Sequence, residues 1–474
     1  MTDPSSSTTD LFQRRHSRRG LVKRGAAVAG GAAATSIAAP AFLRHAGATT
    51  RQNTQVSGEL VEWGFGVAET NILAKSRVDA FQQAYPNVQL TVVDTWDNQT
   101  LLTAAASDTV PDLLWLSRAE TASWAARNVL MPLTDLIERD SYDTSRFYEA
   151  ALNESRFEDQ IYGIPGAMDV RTLYVNLDHL QAIGVDGKTI DTSNWESLSE
   201  LSAQLVQRQG DQVQRWGFDH KQQANWLWLW GIANGGSFLN EDGTEVTFND
   251  EANVAALEWG LNDYNGQGGF GLYEAVATTW QGDEQFARGL VSMTLYEQWM
   301  MSGMISPVAP DLNFWVLPMR QRNSGASGGM VSFSGGNGWY IPQGAKNPEA
   351  AWEFIKFLHT DETWRLGAQA VKEARTAAGD PYIPSLTGAT TADQLQIDEL
   401  YEPVGEGFDN AVQMWPDLLT ASSPVPVGGS PVAGQLIDTI LNDGIEPALR
   451  GSSSPQDALD TANQNAQDAI DSNV

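Results

Sequence analysis

Polar side chains that could hold a small ligand follow two segments with the composition of β-strands. Asp97 comes after the Val/Leu/Thr-rich segment 88–93, and Ser117 and Arg118 directly follow the apolar segment 111–116. A small polar ligand can be held by carboxylate, hydroxyl and guanidinium groups, which hydrogen-bond to its polar atoms, and by flat aromatic rings, which cover its apolar faces. Ligands on parallel sheets bind at the carboxyl ends of the strands. These three residues are therefore candidate ligand contacts, with an ordinary surface loop as the alternative.

Tryptophan, which could supply the aromatic faces, is abundant in this chain. All 17 tryptophans come after residue 48. Most are expected in the hydrophobic core, since a Trp ring is usually buried for its area. In the run 226–230, Trp226 and Trp230 lie one helical turn apart and share a face, whereas Trp228 points elsewhere. At least one of the three is expected in the core, and Trp228 is kept as a candidate ligand contact.

The charge balance excludes some partners. The formal net charge is −30, from 59 acidic and 29 basic residues, and after residue 48 the balance is 57 against 22. A protein with this much negative charge repels the phosphate backbone of nucleic acids, so nucleic acid is not expected as a partner. Only 7 of the basic residues are Lys, and an acidic surplus with Arg preferred over Lys resembles proteins of extreme halophiles. No calcium-loop pattern appears among the acidic residues, so we expect no metal site.

Motifs for catalysis and for cofactors are missing from the sequence. The chain has no cysteine, which excludes disulfides, thiolate zinc sites and the lipid-modified cysteine that anchors many exported binding proteins. It has no Gly-x-Ser-x-Gly elbow, no His-Glu-x-x-His and no phosphate-cradling loop. We expect no cofactor. A glycosidase with two suitably spaced carboxylates stays open as an alternative, because Asp and Glu are so numerous.

The first 48 residues have the three parts of an export leader in order. A twin-arginine-like motif is followed by an apolar Gly/Ala-rich stretch, 25–43, and by Ala46-Gly47-Ala48. The motif is Ser17-Arg18-Arg19-Gly20-Leu21-Val22-Lys23. We expect export by the twin-arginine route with cleavage after Ala48. The alternative is an uncleaved leader that acts as an N-terminal anchor.

The elements after the leader alternate between strand and helix. The pattern predicts strands at 59–63, 88–93 and 111–116, separated by helices at 74–85 and 101–107 and followed by a helix at 119–129. Later segments predict a strand at 171–176 and helices near 195–208, 251–264 and 348–359, and the region 424–474 ends in an amphipathic helix. This βαβα order is typical of a mostly parallel sheet with helices on its faces.

Five blocks in a fixed order resemble the family-1 extracellular solute-binding proteins, the sugar-binding group typified by maltose-binding protein. They are Phe81-Gln82-Gln83-Ala84-Tyr85-Pro86-Asn87-Val88; Pro111-Asp112-Leu113-Leu114; Tyr162-Gly163-Ile164-Pro165 with Leu173-Tyr174-Val175-Asn176; Phe286-Ala287-Arg288-Gly289 with Trp299; and Gly335-Gly336-Asn337-Gly338-Trp339 with Asn347-Pro348-Glu349-Ala350-Ala351-Trp352. Together they span nearly all of the exported chain. The missing lipobox cysteine and the Trp-rich run 226–230 depart from the family pattern.

The resemblance implies an α/β fold of the type II periplasmic-binding-protein class, with two α/β lobes joined by a multi-strand hinge. We expect lobe one at 49–167 plus 331–365 and lobe two at 168–330 plus 366–474. The chain is expected to cross between lobes after Pro165 and to return between Met330 and Gly335, where Gly and Pro suit a hinge.

The resemblance also implies further ligand contacts in the cleft. Trp299 falls where the family places an aromatic ring that stacks on sugar, and Asp169 falls where it places a cleft carboxylate. Arg171 lies on the same strand face as Asp169, although an interlobe salt bridge is the alternative for that pair. The remaining candidates are Trp63 at the end of the opening strand, Tyr296 in the motif that contains Trp299, and Asn337 and Trp339 near the expected return between the lobes.

The function implied by the resemblance is that of the extracellular substrate-binding component of an ABC importer, and not of an enzyme. A monomer is expected to bind a sugar between its lobes, close by hinge bending and dock on a membrane permease. Alternatives are the same fold binding a polyamine, a sugar phosphate or a peptide, or a secreted carbohydrate-active enzyme. Scarce cations disfavour a phosphate ligand, whereas an acidic cleft with aromatic rings also suits a polyamine.

Overall fold

A computed structural model describes residues 53–68, 71–210, 212–240, 242–277 and 282–472. The leader expected at 1–48 lies outside these residues. Within the described ranges, no helix is both long and apolar enough to cross a lipid bilayer.

The strands form two large sheets and one two-stranded ribbon. The first sheet has the order β2-β1-β3-β13-β6, the second has the order β14-β12-β11-β7-β10-β9-β8, and β4 pairs with β5. The strands are β1 Gly58–Trp63, β2 Val88–Val93, β3 Leu113–Ser117, β4 Arg156–Phe157, β5 Gln160–Ile161, β6 Gly163–Pro165, β7 Arg171–Asn176, β8 Gln207–Gln209, β9 Gln212–Asp219, β10 Val291–Glu297, β11 Phe314–Arg320, β12 Met330–Phe333, β13 Asn337–Tyr340 and β14 Ser422–Ser423.

Helices cover the sheets. The α-helices in the described ranges are α1 Ile72–Ala84, α2 Asn98–Ala106, α3 Thr121–Ala126, α4 Thr134–Asp140, α5 Glu149–Glu154, α6 Leu177–Ala182, α7 Trp195–Leu205, α8 Leu227–Ala233, α9 Glu251–Gln267, α10 Phe270–Ala277, α11 Gly282–Ala287, α12 Ser306–Val308, α13 Pro348–Leu358, α14 Asp361–Ala378, α15 Thr390–Leu395, α16 Glu406–Ala421, α17 Ala433–Thr439, α18 Glu446–Leu449 and α19 Pro455–Asp471. Short 3₁₀ and π turns join several of them.

The predicted βαβα start of the chain is confirmed. β1 runs parallel to both β2 and β3, and α1 and α2 form the connections. Local sequence explains the helix ends: α1 stops before Pro86, and the Asp97 side chain caps the first turn of α2. Asn347 caps α13, which has Pro348 at its first position, a favourable place for proline.

The chain passes between the two sheets at two close segments. We call residues 166–170, between β6 and β7, the first crossing, and residues 334–336, between β12 and β13, the second crossing. A later connection, 379–405, leads from α14 to α16, which packs on β11 and β12 of the second sheet. The α/β fold with two lobes is therefore present, and each sheet has its own buried core.

Two stretches belong to the other lobe from the one that the sequence predicts for them. Residues 331–333, expected in lobe one, belong to β12 of the second sheet. Residues 366–378, expected in lobe two, continue α14, which packs along α1 beside the first sheet. The Arg77 guanidinium stacks on Trp364 at 3.5 Å, and Gly367 permits the close approach of the two helices. These contacts explain why the whole of α14 stays with the first lobe.

Candidate functional site

A cavity of about 220 Å³ lies where the crossings meet the end of β10. Its walls come from the first crossing, the second crossing, the turn after β10 and the 379–405 connection. The lining residues are Ala167, Met168, Asp169, Gln298, Trp299, Ser302, Gly336, Pro384, Ser385 and Leu386. Two of the predicted ligand contacts, Asp169 and Trp299, therefore share one cavity, although 130 residues separate them in the sequence.

The Asp169 carboxylate is held in place by the second crossing and by an arginine. Its Oδ1 accepts a hydrogen bond from the Gly335 N–H at 2.6 Å, and it forms an ion pair with Arg171. The Asp169 side chain keeps 17% of its surface exposed, whereas that of Arg171 keeps 3%. The carboxylate is thus fixed and still accessible, as recognition of a hydroxyl group requires.

Arg171 is a buried partner of the carboxylate. Its Nη1 also donates to the Phe333 oxygen at 3.0 Å, and its Nη2 lies 3.6 Å from Glu297 Oε1. The guanidinium carbon lies 4.0 Å from the centre of the Phe333 ring. Among the predicted contacts, Arg171 therefore supports Asp169 from behind and does not line the cavity.

Trp299 presents a half-buried ring to the cavity, and Tyr296 packs against it. The two rings meet edge to face with their centres 5.1 Å apart, and Tyr296 is only 4% exposed. Gln298, between them, accepts from the Val170 N–H at 2.9 Å and donates to the Met168 oxygen at 3.3 Å. The end of β10 is therefore tied to the first crossing, which sets Trp299 beside Asp169.

The structure corrects the interpretation of Arg118 as a direct ligand contact. Its side chain is completely buried and makes an ion pair with Glu154, with Nε 3.0 Å from Oε2. Burial raises the pKa of the Glu154 carboxyl, and the nearby Arg118 guanidinium opposes that shift. Ser117 and Asn337 face each other in the antiparallel pairing of β3 with β13. Both are half-buried, and neither lines the cavity.

Trp339 and Trp228 are core residues in this structure. Trp339 is 1% exposed and packs between Phe65 and Trp115, with ring centres 4.5 and 4.6 Å away. Trp228 is 3% exposed, and its ring lies 4.5 Å from that of Phe238 in the core of the second lobe. The area of each ring is already covered by protein, so neither is available to a ligand here.

Asp97 and Trp63 also lie away from the cavity. Asp97 is exposed and uses its Oδ1 to accept from the Thr100 N–H and hydroxyl, both at 2.6 Å, which is a helix-capping role. Trp63 is half-buried and packs against the small cluster that contains Trp96. The cavity residues come instead from the two crossings, the turn after β10 and the 379–405 connection.

Several cavity residues were missed by reasoning from the sequence. Gln298 directly precedes Trp299 in the sequence, and this adjacency could have identified it. Ser302 lies one turn after Trp299, and its carbonyl accepts from Arg375 Nη2 of α14 at 2.6 Å. Pro384, Ser385 and Leu386 carry no local pattern, because only the path of the chain brings them to the crossings.

A second depression, of about 480 Å³, is wider and more open. It lies near the end of α14, and its lining includes Pro310, Asp380, Pro381, Val404 and Phe408. None of the predicted ligand contacts lines it. In the described part of the chain, no group of three His, Asp or Glu side chains is placed to hold a metal ion.

Comparison with known proteins identifies the family. Residues 76–403 match the family model described as bacterial extracellular solute-binding protein. A lactose-binding protein of Rhizobium radiobacter is 21% identical over 396 residues, which cover 79% of this chain and 90% of that protein.

Solved structures with the same fold agree. An ABC substrate-binding protein of Listeria monocytogenes in complex with cycloalternan has a TM-score of 0.70 and 20% identity, covering 87% of this chain and 99% of that one. The sugar-binding protein MalE of Xanthomonas citri has a TM-score of 0.67 and 18% identity, covering 88% of this chain and 98% of that one. The chain therefore belongs to the bacterial extracellular solute-binding proteins and has their two-lobed, type II periplasmic-binding-protein fold.

Proposed function

We propose that this protein is the extracellular substrate-binding component of an ABC importer and that it binds a sugar or oligosaccharide between its lobes. The observation that carries the proposal is the shared cavity of Asp169 and Trp299 at the crossings. A fixed carboxylate beside a half-buried aromatic ring that lines the cavity matches the hydroxyls and the C–H face of a sugar ring. The lactose-binding relative and the cycloalternan-bound structural neighbour support the same ligand class.

The mechanism follows from the two crossings. The open protein binds the ligand at Asp169 of the first crossing and at Trp299 of the second lobe, and bending at the two crossings brings the first lobe over it. Closure is favoured only by contacts that the ligand makes better in the closed form. The closed monomer then docks on the membrane permease, which takes up the ligand.

The decisive experiment is calorimetric titration of the protein, expressed from residue 49, with lactose, maltose, mannobiose, arabinooligosaccharides, a sugar phosphate and spermidine, at low and high salt. Saturable binding of a neutral sugar is expected. Binding of spermidine alone, weakened by salt, would replace the sugar with a cationic ligand. Binding of the sugar phosphate alone would contradict the proposal in the same way.

The variant Asp169→Asn sharpens this distinction. The amide oxygen can still accept hydrogen bonds from Gly335 and from a sugar hydroxyl, but it no longer attracts a cation. We therefore expect a modest loss of sugar affinity, of about tenfold or less, because a charge-assisted hydrogen bond becomes a neutral one. A loss of all spermidine binding, with sugar never bound, would favour the polyamine alternative.

An enzymatic role is the rival of a different class. The family consists of binding proteins, and the proposal expects no turnover. Incubation with labelled glycosides, followed by product analysis, tests this directly. Release of product at a rate that scales with protein concentration would establish a carbohydrate-active enzyme.

Export and retention complete the proposal. The twin-arginine-like motif and the Gly/Ala-rich stretch support export of the folded chain, and the acidic composition supports a high-salt environment. Replacing Arg18 and Arg19 by Lys should keep the protein inside the cell, whereas the wild type should appear outside. Mass spectrometry of the exported protein would show whether cleavage follows Ala48 or the leader stays as an anchor.

A further inference from the structure

Arg118 lies at the carboxyl end of β3 and binds backbone oxygens of both crossings. Its guanidinium donates to the Gly335 oxygen at 2.6 Å, to the Asn337 oxygen at 3.1 Å and to the Ala167 oxygen. The backbone N–H of Arg118 donates to the Gly336 oxygen at 3.0 Å. One fully buried side chain of the first lobe thus joins 166–170 to 334–336.

Glu154 completes this arrangement from the end of α5. Its Oε2 pairs with Arg118, and its Oε1 accepts from the Val425 N–H at 2.8 Å, just after β14 of the second sheet. The side chains of Arg118 and Glu154 are 0% and 1% exposed. Charges buried this deeply persist only if they are paired and hydrogen-bonded, so the pair has little freedom to move.

The backbone of Gly335 connects Arg118 to the cavity. Its oxygen accepts from Arg118, and its N–H donates to Asp169 Oδ1 at 2.6 Å. The next residue, Gly336, has a φ of +123°, and a Cβ there would lie 2.3 Å from the Ala167 oxygen. This close packing restricts how the two crossings can move relative to each other.

We propose that Arg118, with Glu154 as its counter-ion, is a positioning residue that holds the two crossings together and, through the backbone of Gly335, sets the Asp169 carboxylate for ligand binding. The inference rests on the proposed function for its ligand-binding part. Lysine cannot replace Arg118, because one ammonium group lacks the planar fork that reaches several acceptors at once.

The first test compares two buried arginines of the first lobe. Arg77 donates to the Leu358 oxygen at 2.6 Å and stacks on Trp364, away from the crossings. Calorimetry with lactose, maltose and mannobiose should show at least a tenfold weaker affinity for Arg118→Lys. For Arg77→Lys the change should stay below twofold, even where thermal unfolding shows a comparable loss of stability. Equal affinities for both variants would overturn the proposal.

A milder variant keeps the test valid if Arg118→Lys does not fold. Glu154→Gln preserves an acceptor for Val425 but removes the charge that orients Arg118. We expect its sugar affinity to fall at least threefold. An unchanged affinity in this folded variant would contradict the positioning role.

The second test needs no ligand. The chain has no cysteine, so Gln83→Cys on α1 and Gln464→Cys on α19, both exposed positions, can carry a fluorophore pair for single-molecule energy transfer between the lobes. Arg118→Lys should broaden or shift the interlobe distance distribution, and Arg77→Lys should leave it unchanged. If the wild type binds no sugar, the sugar proposal fails by itself, and an unchanged distribution in Arg118→Lys would separately refute the positioning role.

Discussion

The replacement Trp299→Ala removes the aromatic face beside Asp169 and tests the proposed site most directly. One edge of the Trp299 ring packs on Tyr296, and the ring also lines the cavity. If a ligand covers about 80 Å² of the ring, the lost contact amounts to about 2 kcal/mol at ~25 cal/mol per Å². We therefore expect the dissociation constant for the tightest-binding sugar to rise about 30-fold.

The assay is calorimetric titration at matched salt, with thermal unfolding measured on the same samples. The control is Trp315→Ala, because Trp315 is also half-buried and lies in β11 of the same lobe, where Lys188 Nζ is 4.6 Å from its ring centre. Trp315→Ala should lower the unfolding temperature without changing affinity. If Trp299→Ala binds sugar as tightly as this control does, the ring does not contact the ligand and the assignment is refuted.

Three further changes test how the structure places other residues. Trp339→Ala should cost about 4 kcal/mol in urea unfolding, because the buried ring leaves a cavity; a loss below about 1 kcal/mol would contradict its core position. Asp97→Ala should lower the unfolding temperature by roughly 2 °C through loss of the α2 cap, whereas Asp97→Asn should not. A change in sugar affinity in Asp97→Ala would show instead that Asp97 contacts the ligand. Burial raises the pKa of Asp393 to about 7, while an unfolded Asp ionises near pH ~4. Its stabilising contribution is therefore complete below pH ~4 and lost as pH rises to about 7. Asp393→Asn should consequently raise the unfolding temperature relative to wild type at pH 8 more than at pH 5, and equal shifts at both pH values would contradict the raised pKa.

Local sequence was sufficient for several elements of the fold. The periodicity and Pro86 placed α1 and β2 within about two residues of their observed bounds, and 171–176 is the observed β7. These segments succeed because strand alternation, helix caps and proline act over a few neighbouring residues. The order of the blocks was sufficient for the two-lobed family.

The burial of each side chain distinguishes the candidate ligand contacts that the sequence could not rank. Trp299 and Trp339 are both tryptophans near Gly-containing motifs, yet one lines the cavity and the other is covered by Phe65 and Trp115. Arg118 follows a strand as a ligand contact would, but its guanidinium is used by carbonyls more than 40 residues away in the sequence. Such contacts leave no local pattern.

The sequence by itself determined the acidic composition, many of the α/β elements and the family membership that their order implies, because these depend on composition and short-range pattern. The export leader stays a prediction from the same kind of pattern. Only the tertiary structure decided which polar and aromatic side chains share a cavity. Asp169, Trp299 and the 379–405 connection meet because two crossings and a late return of the chain converge at one place, and that convergence depends on long-range packing.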